Sequence, residues 1–328
     1  MTIRRLTFTD LPGLARLRPP FAMSMDWELA LPRSLDMLAW RSLLPYHVSG
    51  ACTLVYQEGS ELAAVQAEAR PGPDKCTIMR LGLAPQGDPG ILMPLLEALC
   101  VHAVDHGAGR VFAAVADDEG VSLLSRLDFV AYADETVYRM VREETREEEV
   151  TRQAASFAIR PLRPRDVWGV HTLYAAVTPR PVQLLEGLTS EDWEFRLPHR
   201  VAWPGMASEV RLVLEAQAGV SGYLTLTRGS RGHRMEMMVH PRQRVLAGPL
   251  LQAGLDIAAH WRPLPVYCSL RGYQSELGQV LESAGFQSMG AQTLMVKQMT
   301  VRVRQRLRVF EPALERRLEP AATRAQRS

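Results

Sequence analysis

The chain repeats itself once, and this repeat limits the possible folds more than any other feature of the sequence. Residues 3–6 (Ile-Arg-Arg-Leu) return as residues 159–162 (Ile-Arg-Pro-Leu), and the Asp, Gly and Leu that follow them return at the same separation of 156 residues. Later pairs keep this order with separations of 155 to 157, among them 83–85 with 239–241 and 94–98 with 249–253. The constant offset predicts two copies of one unit, each of about 150 residues.

Strand patterns and helix patterns alternate in both copies. In the first copy the pattern predicts strands at 51–56, 62–69, 76–83 and 111–115, helices at 94–106 and 121–127, and a closing strand pair at 129–132 and 136–141. The second copy repeats these elements at 211–216, 220–227, 234–239, 249–261, 266–270 and 277–284, with a last strand at 293–301. The alternation predicts an α/β fold in which each copy has a mixed central sheet flanked by helices.

Changes in composition suggest where the copies begin and end. Residues 143–156 are rich in Glu and Arg and lack the apolar periodicity of a core element, which is typical of a solvated linker. We therefore expect domains at 1–142 and 157–303, joined by this linker. Residues 304–328 form a basic tail that we expect to lie outside the second domain.

The composition also argues against several classes of partner. The formal net charge of +2 gives no reason to expect a nucleic acid partner. No run reaches the ~18 apolar residues that a membrane span requires, and residues 1–5 lack the apolar segment of a secretion signal. The four cysteines are scattered without a C-x-x-C pair, which is typical of a reduced protein. We expect a soluble cytoplasmic protein without a nucleic acid or membrane partner.

Three short motifs occur in the same order in both copies. The second copy has Val239-His240-Pro241, then Leu250-Leu251, then Gly285-Phe286, and the first has Leu83-Ala84-Pro85, Leu95-Leu96 and Asp128-Phe129. In this order the motifs resemble those of the GNAT superfamily of acyltransferases, over residues 3–141 and 157–301. The tandem arrangement resembles that of mycothiol synthase, in which one copy is catalytic and the other degenerate. The resemblance implies two tandem GNAT-like domains.

The resemblance also implies a chemistry and its substrates. Members of the family transfer an acyl group, commonly from acetyl-CoA, to a small amine. The loop after the V-x-P strand presents backbone N–H groups to the pyrophosphate at the start of a helix, where the helix dipole favours anions. A strand N–H polarises the thioester carbonyl, and a carboxylate removes the proton of the amine.

The loop that follows the V-x-P motif differs between the copies. In the first copy it contains Asp88, whose charge would repel a pyrophosphate, and Pro89, which lacks an N–H. The second copy keeps Arg244 where the family has Arg or Gln. The resemblance therefore implies that the second copy is the active one. It implies that its cofactor-binding residues are Val239, Arg244, Val245, Ala247 and Gly248.

A candidate base is present in the second copy alone, and the usual acid is absent from both. Glu236 lies three residues before Val239, on the strand where the family often has a carboxylate, whereas the first copy has Arg80 there. The alternative for Glu236 is an outward-facing strand residue paired with Arg234 or Arg211. The tyrosine that the family places four residues before Gly-Phe is replaced by leucine in both copies, Leu124 and Leu281.

Two functions from different classes fit these residues. One is an acyl-CoA-dependent N-acyltransferase with Glu236 as base, and the other is a non-catalytic protein that binds acyl-CoA or a protein partner. His102 and His106 have the i, i+4 spacing of a metal-binding pair on a helix, but no third ligand is evident. We therefore expect no metal site.

Overall fold

The computed structural model describes residues 2–25, 35–59, 61–70, 74–141, 157–194, 209–216 and 219–299. The first half contains β1 (Thr2–Arg5), α1 (Leu11–Leu14), α2 (Leu35–Ser42), α3 (Tyr46–Ser49), β2 (Ala51–Glu58), β3 (Glu61–Ala69), β4 (Lys75–Leu83), α4 (Leu92–Asp105), β5 (Arg110–Val115), α5 (Asp118–Ser125) and β6 (Val130–Met140). The second half contains β7 (Ala158–Pro161), α6 (Val167–Val177), α7 (Arg180–Glu186), β8 (Glu209–Ala216), β9 (Gly219–Arg228), β10 (His233–Val239), α8 (Ala247–Ala259), β11 (Val266–Arg271), α9 (Gly278–Ser283) and β12 (Gln287–Gln298). The proposed linker 143–156 and the tail 304–328 lie outside the described residues.

The repeat seen in the sequence is also a repeat of interactions. Arg4 forms an ion pair with Asp10 at 2.6 Å, and Arg160 forms the same pair with Asp166 at 2.6 Å. Each aspartate also accepts a backbone N–H three residues earlier in the chain, so it fixes the turn into the first helix of its half. The hydrogen bond from the Arg4 guanidinium lowers the pKa of Asp10 to about 2.

The strands of the two halves join in one 12-stranded sheet. Its order is β1-β2-β3-β4-β5-β12-β6-β11-β10-β9-β8-β7, so each half contributes five strands on its own side and one strand at the centre. Helix α4 covers one face of the first half and α8 covers the same face of the second half, each over a large apolar cluster. The opposite face is covered by α1 and α2 in the first half and by α6 in the second. This arrangement confirms the predicted α/β fold.

The last strand of each half is exchanged with the other half. Strand β12 pairs antiparallel with β5 of the first half, and β6 pairs antiparallel with β11 of the second half. The two exchanged strands also pair with each other, and Glu135 lies opposite its repeat equivalent Gln292. The Gln292 amide donates a hydrogen bond of 2.6 Å to the Glu135 carboxylate at this point. An approximate twofold relation between the halves therefore passes through the centre of the sheet.

The predicted closing strand pair at 129–132 and 136–141 is wrong. The structure has one continuous strand, β6, over Val130–Met140. The residues between the two predicted strands, 133–135, include neither Gly nor Pro, and they have pairing partners on β12. Because every part of the segment has a neighbouring strand to bond with, the chain does not need to turn there.

Candidate functional site

Two neighbouring parallel strands diverge at the centre of each half. Strand β10 pairs with β11 only from His233 to Met235, and β4 pairs with β5 only from Lys75 to Thr77. Beyond these pairs the strands separate. We call the gap between residues 236–239 and 269–271 the second split, and the gap between 78–83 and 113–115 the first split. A gap of this kind exposes strand backbone groups that a ligand can bond.

The backbone of Val239 faces the second split. The His233 N–H donates to Pro265 O at 2.8 Å, so its backbone points towards β11. Alternate residues of a strand share this direction, which places Met237 and Val239 on the same edge. The Gln274 side chain reaches into the split and donates to Met237 O at 3.3 Å. The Gln274 side chain is thus seated against this edge of β10.

The predicted cofactor-binding residues come together at the mouth of the second split. A 3-10 helix, Pro241–Leu246, follows β10 and leads directly into α8. Val245 is 85% exposed there, and nothing lies within 4 Å of the position that a Cβ on Gly248 would occupy. The Ala247 N–H donates to Arg244 O, and the Arg244 guanidinium forms an ion pair of 2.6 Å with Glu276. The loop thus offers open backbone near Gly248 beside a half-exposed arginine.

The first split is filled by its own chain. Arg18 exchanges two backbone hydrogen bonds of 2.9 Å with Leu83, at the end of β4. Ser24 N donates to Ala114 O at 2.9 Å and Ala116 N donates to Ala22 O at 3.0 Å, at the end of β5. We call residues 18–24 the plug. It includes Pro19 and Pro20, which exclude a helix and favour extended backbone.

Among the described residues of the second half no segment forms such a plug, because the equivalent chain is helical. Residues 174–177, which correspond to the start of the plug, belong to α6 (Val167–Val177). Residues 174–178 contain no proline, and the first proline after them is Pro179. The edge of β10 beside the second split is consequently not bridged by the segment that bridges the first.

The loop of the first half also bonds its own carboxylate at the place where the resemblance implies a phosphate. Asp88 caps the 3-10 helix Pro89–Ile91 and accepts the Gly90 N–H at 2.8 Å. An anion bound to this amide would have to displace the carboxylate and would be repelled by it. In the second half the cap is an imidazole in place of a carboxylate, and His240 Nδ1 accepts the Arg242 N–H at 3.2 Å.

Glu236 is the first residue of β10 beyond its last pair with β11. Its side chain is 46% exposed and forms an ion pair with Arg234. Met235, Met237 and Val239 pack under α8 on the opposite face. Glu236 therefore lies at the apex of the second split, on the face that α6 covers. The alternative interpretation, in which Glu236 is a strand residue that pairs with Arg234, fits this ion pair equally well.

Arginine and aromatic side chains surround Glu236 on this face. Arg211 lies two strands away in register with Thr225 and Glu236, and its Nε forms an ion pair with Glu209. Burial raises the pKa of Tyr223 above its ordinary value, and the carboxylates of Glu209 and Glu236 raise it further against the opposing charge of Arg211. Tyr223 is therefore a neutral phenol that contributes packing and polarity.

A buried ionic cluster that was not predicted joins the halves at the end of β11. Arg271 contacts Glu135 at 3.1 Å and Glu186 at 3.2 Å, and both carboxylates are almost completely buried. Glu186 also accepts a hydrogen bond from Tyr174 at 2.7 Å. The sequence gives one sign of this cluster, which is that Glu135 and Gln292 occupy equivalent positions of the repeat.

The two helical histidines pack on each other. Their rings lie 4.1 Å apart, and burial together with the charge of His106 lowers the pKa of His102 to about 4. Within the described ranges no group of three or more His, Cys, Asp or Glu side chains could hold a metal ion. No helix in those ranges is long and apolar enough for a membrane crossing.

Comparison with solved structures identifies the fold. No protein-family model matches the chain, and no curated protein matches its sequence. A GCN5-related N-acetyltransferase from Sphaerobacter thermophilus is 14% identical, with 90% of this chain and 95% of that chain covered and a TM-score of 0.55. A tandem GNAT protein from the clavulanic acid biosynthesis pathway, without acetyl-CoA, is 13% identical, with 90% and 98% covered and a TM-score of 0.55. The chain has a tandem GNAT fold, as its motifs predicted.

Proposed function

We propose that this protein, which has a tandem GNAT fold, is an acyl-CoA-dependent N-acyltransferase. It uses acetyl-CoA, acts on a small amine and has its active site in the second half. The contrast between the two splits is the observation that supports this proposal. The plug occupies the backbone of Leu83 in the first split, while Val239 faces a second split that holds the Gln274 side chain. The loop chemistry agrees, because Asp88 occupies an amide in the first half and Arg244 supplies positive charge in the second.

Each predicted residue of the second split has a role in this proposal. The Val239 N–H polarises the thioester carbonyl, where negative charge develops in the transition state. The backbone at Val245, Ala247 and Gly248 receives the pyrophosphate at the start of α8. Arg244 exchanges its present partner Glu276 for phosphate oxygens, to which the guanidinium can donate two charge-assisted hydrogen bonds.

The proton and the leaving group follow a simple path. Glu236 takes a proton from the substrate ammonium, and the free amine then attacks the carbonyl carbon of the thioester. The C–N bond forms, the C–S bond breaks, and coenzyme A leaves as a thiolate. Leu281 cannot donate a proton, so the second proton that the attacking nitrogen loses passes through water to the thiolate.

A second candidate function is a non-catalytic binder of acyl-CoA or of a protein partner. The ion pair between Arg234 and Glu236 favours it, because a carboxylate that is held by an arginine is a weaker base. The leucines at 124 and 281 are consistent with it as well. We place either protein in the cytoplasm, since all four cysteines are free and buried.

Thermal unfolding of the full chain with acetyl-CoA tests the proposed site. A ligand at about 100 times its Kd stabilises the folded state by about 2.7 kcal/mol and raises the Tm. Arg244→Glu should abolish this rise, since it reverses the charge beside the phosphates. Arg228→Glu is the matched control. Arg228 is also exposed, but it lies opposite His233, at the other end of the β9–β10 pair from Val239. A wild-type chain without a shift, or a shift that Arg244→Glu retains, contradicts the assignment.

A further inference from the structure

A buried ion pair crosses from the first half to the second. Lys75, one of two lysines in the chain, is the first residue of β4. Its Nζ lies 2.9 Å from both carboxylate oxygens of Asp192, and the two side chains are 1% and 5% exposed. Asp192 belongs to the 3-10 helix Ser190–Trp193, which lies over the α6 face of the second half. The lysine thus connects the degenerate half to the side of the sheet on which Glu236 lies.

Asp192 both starts this 3-10 helix and anchors it. Its Oδ2 accepts the Thr189 N–H at 2.7 Å and the Thr189 hydroxyl at 3.1 Å. Without the ammonium group of Lys75 the carboxylate would be a buried charge with no compensating cation, which is strongly unfavourable. The chain would then have to move Asp192 towards water, and the 3-10 helix would move with it.

The 3-10 helix in turn fixes groups around Glu236. The carbonyls of Trp193 and Glu194 accept hydrogen bonds from Arg211 Nη1 at 3.2 and 3.3 Å. The Trp193 ring lies 5.7 Å from that of Tyr223, edge to face, and its Nε1 donates to His171 at 3.3 Å. Tyr223 stands on the strand beside Glu236 and Arg211 stands on the strand after that, both on the same face as Glu236. A displaced 3-10 helix therefore releases both the cation and the aromatic wall of the candidate site.

We propose that Lys75 is a positioning residue for the candidate site of the second half, and that holding Asp192 in place is its role. In this way the first half contributes to the candidate site of the second half, although its own split is filled by the plug. The link to catalysis rests on the proposed function, but the link from Lys75 to Trp193 does not.

The indole N–H signal of Trp193 in a ¹H–¹⁵N spectrum of the full chain tests this link without any ligand. Trp193→Phe assigns the signal. Lys75→Met should shift it, because the ammonium group is lost while the length of the side chain is kept, and Lys75→Arg should restore the wild-type position. If Lys75→Met alone does not fold, the double variant Lys75→Met/Asp192→Asn leaves no uncompensated charge and should fold; because the contact between Nζ and the carboxylate is lost, its Trp193 signal should still differ from that of the wild type.

A matched control separates this role from general stability. Arg41 forms a half-buried ion pair of 2.6 Å with Glu68 within the first half, so Arg41→Met removes a comparable pair with no route to Trp193. An unchanged Trp193 signal in the Lys75 variants, or an equal shift in Arg41→Met, overturns the proposal.

Turnover gives the second readout. With acetyl-CoA and an amine that the wild type acetylates, Lys75→Met should lose about 10²-fold in kcat/KM for the amine and keep its affinity for acetyl-CoA. An unchanged kcat/KM beside a shifted Trp193 signal overturns the link to catalysis. If the wild type acetylates no amine, the proposed function fails, and the Trp193 signal still decides whether Lys75 positions this wall.

Discussion

The proposed function gives the carboxylate of Glu236, at the apex of the second split, the role of taking the proton of the incoming amine. Glu236→Gln keeps the size and polarity of the side chain and removes its basicity. A general base contributes about 10²–10⁴-fold to a rate, so we expect kcat to fall by that factor. Affinity for acetyl-CoA should not change, because the group acts only in the transition state. Release of free coenzyme A thiol with a panel of primary amines measures the effect.

The control for this substitution is a second carboxylate on the same face. Glu209 is also paired with an arginine, Arg211, and lies in register with Thr227 and Arg234 at the far end of the strands. Glu209→Gln should retain most of the turnover. Full turnover by the Glu236→Gln variant would mean that another base, or water, takes the proton.

Single residues show how far local sequence reasoning reaches. Strand alternation places Met235, Met237 and Val239 on one face of β10 and Glu236 and Met238 on the other, because the period of two is a property of the strand itself. The ion pair between Lys75 and Asp192 could not be predicted in this way. Its partners are 117 residues apart, and nothing in the neighbourhood of either residue indicates the other.

Among the elements, the plug is the one on which the proposed function bases the assignment of acyl-CoA to the second half. It packs tightly against α5, where a Cβ on Gly120 would lie 2.7 Å from the Phe21 ring and 2.3 Å from Val115. Gly120→Ala should therefore destabilise the chain by about 1–3 kcal/mol, the typical cost of overpacking. Gly248→Ala is the matched control in α8, since its Cβ would meet nothing, and the higher helix propensity of Ala should leave stability equal or slightly greater.

Urea unfolding of the two variants measures this difference. An undiminished free energy of unfolding in Gly120→Ala would show that Phe21 is not held against α5. The description of the plug as tightly packed against α5 would then be wrong.

Elements differ in how well the sequence predicts them. Pro94 and Pro249 correctly marked first helical turns, since proline is favoured there by its missing N–H. Pro19 and Pro20 indicate extended backbone, but they do not say which strands that backbone will bond. The strand pair predicted in place of β6 failed for the same reason, because the partners of β6 lie more than 100 residues away in the second half.

At the scale of the whole molecule, the exchanged strands make the halves dependent on each other. Removing the second half would take β12 from between β5 and β6 and leave unpaired strand edges in the first half. The domain limits 1–142 and 157–303 stay a prediction about the chain, and separating the halves there would disrupt the 12-stranded sheet. Experiments that compare the halves therefore need the intact protein.

Hydrogen exchange of the intact chain, followed by mass spectrometry with and without acetyl-CoA, compares both splits in one sample. A bound ligand slows exchange of the amides that it orders or bonds. The proposed function predicts slower exchange in peptides that cover residues 237–250 and no change in those that cover 81–95. Slower exchange at 81–95 without a change at 237–250, or no change at either place under saturating acetyl-CoA, would contradict it.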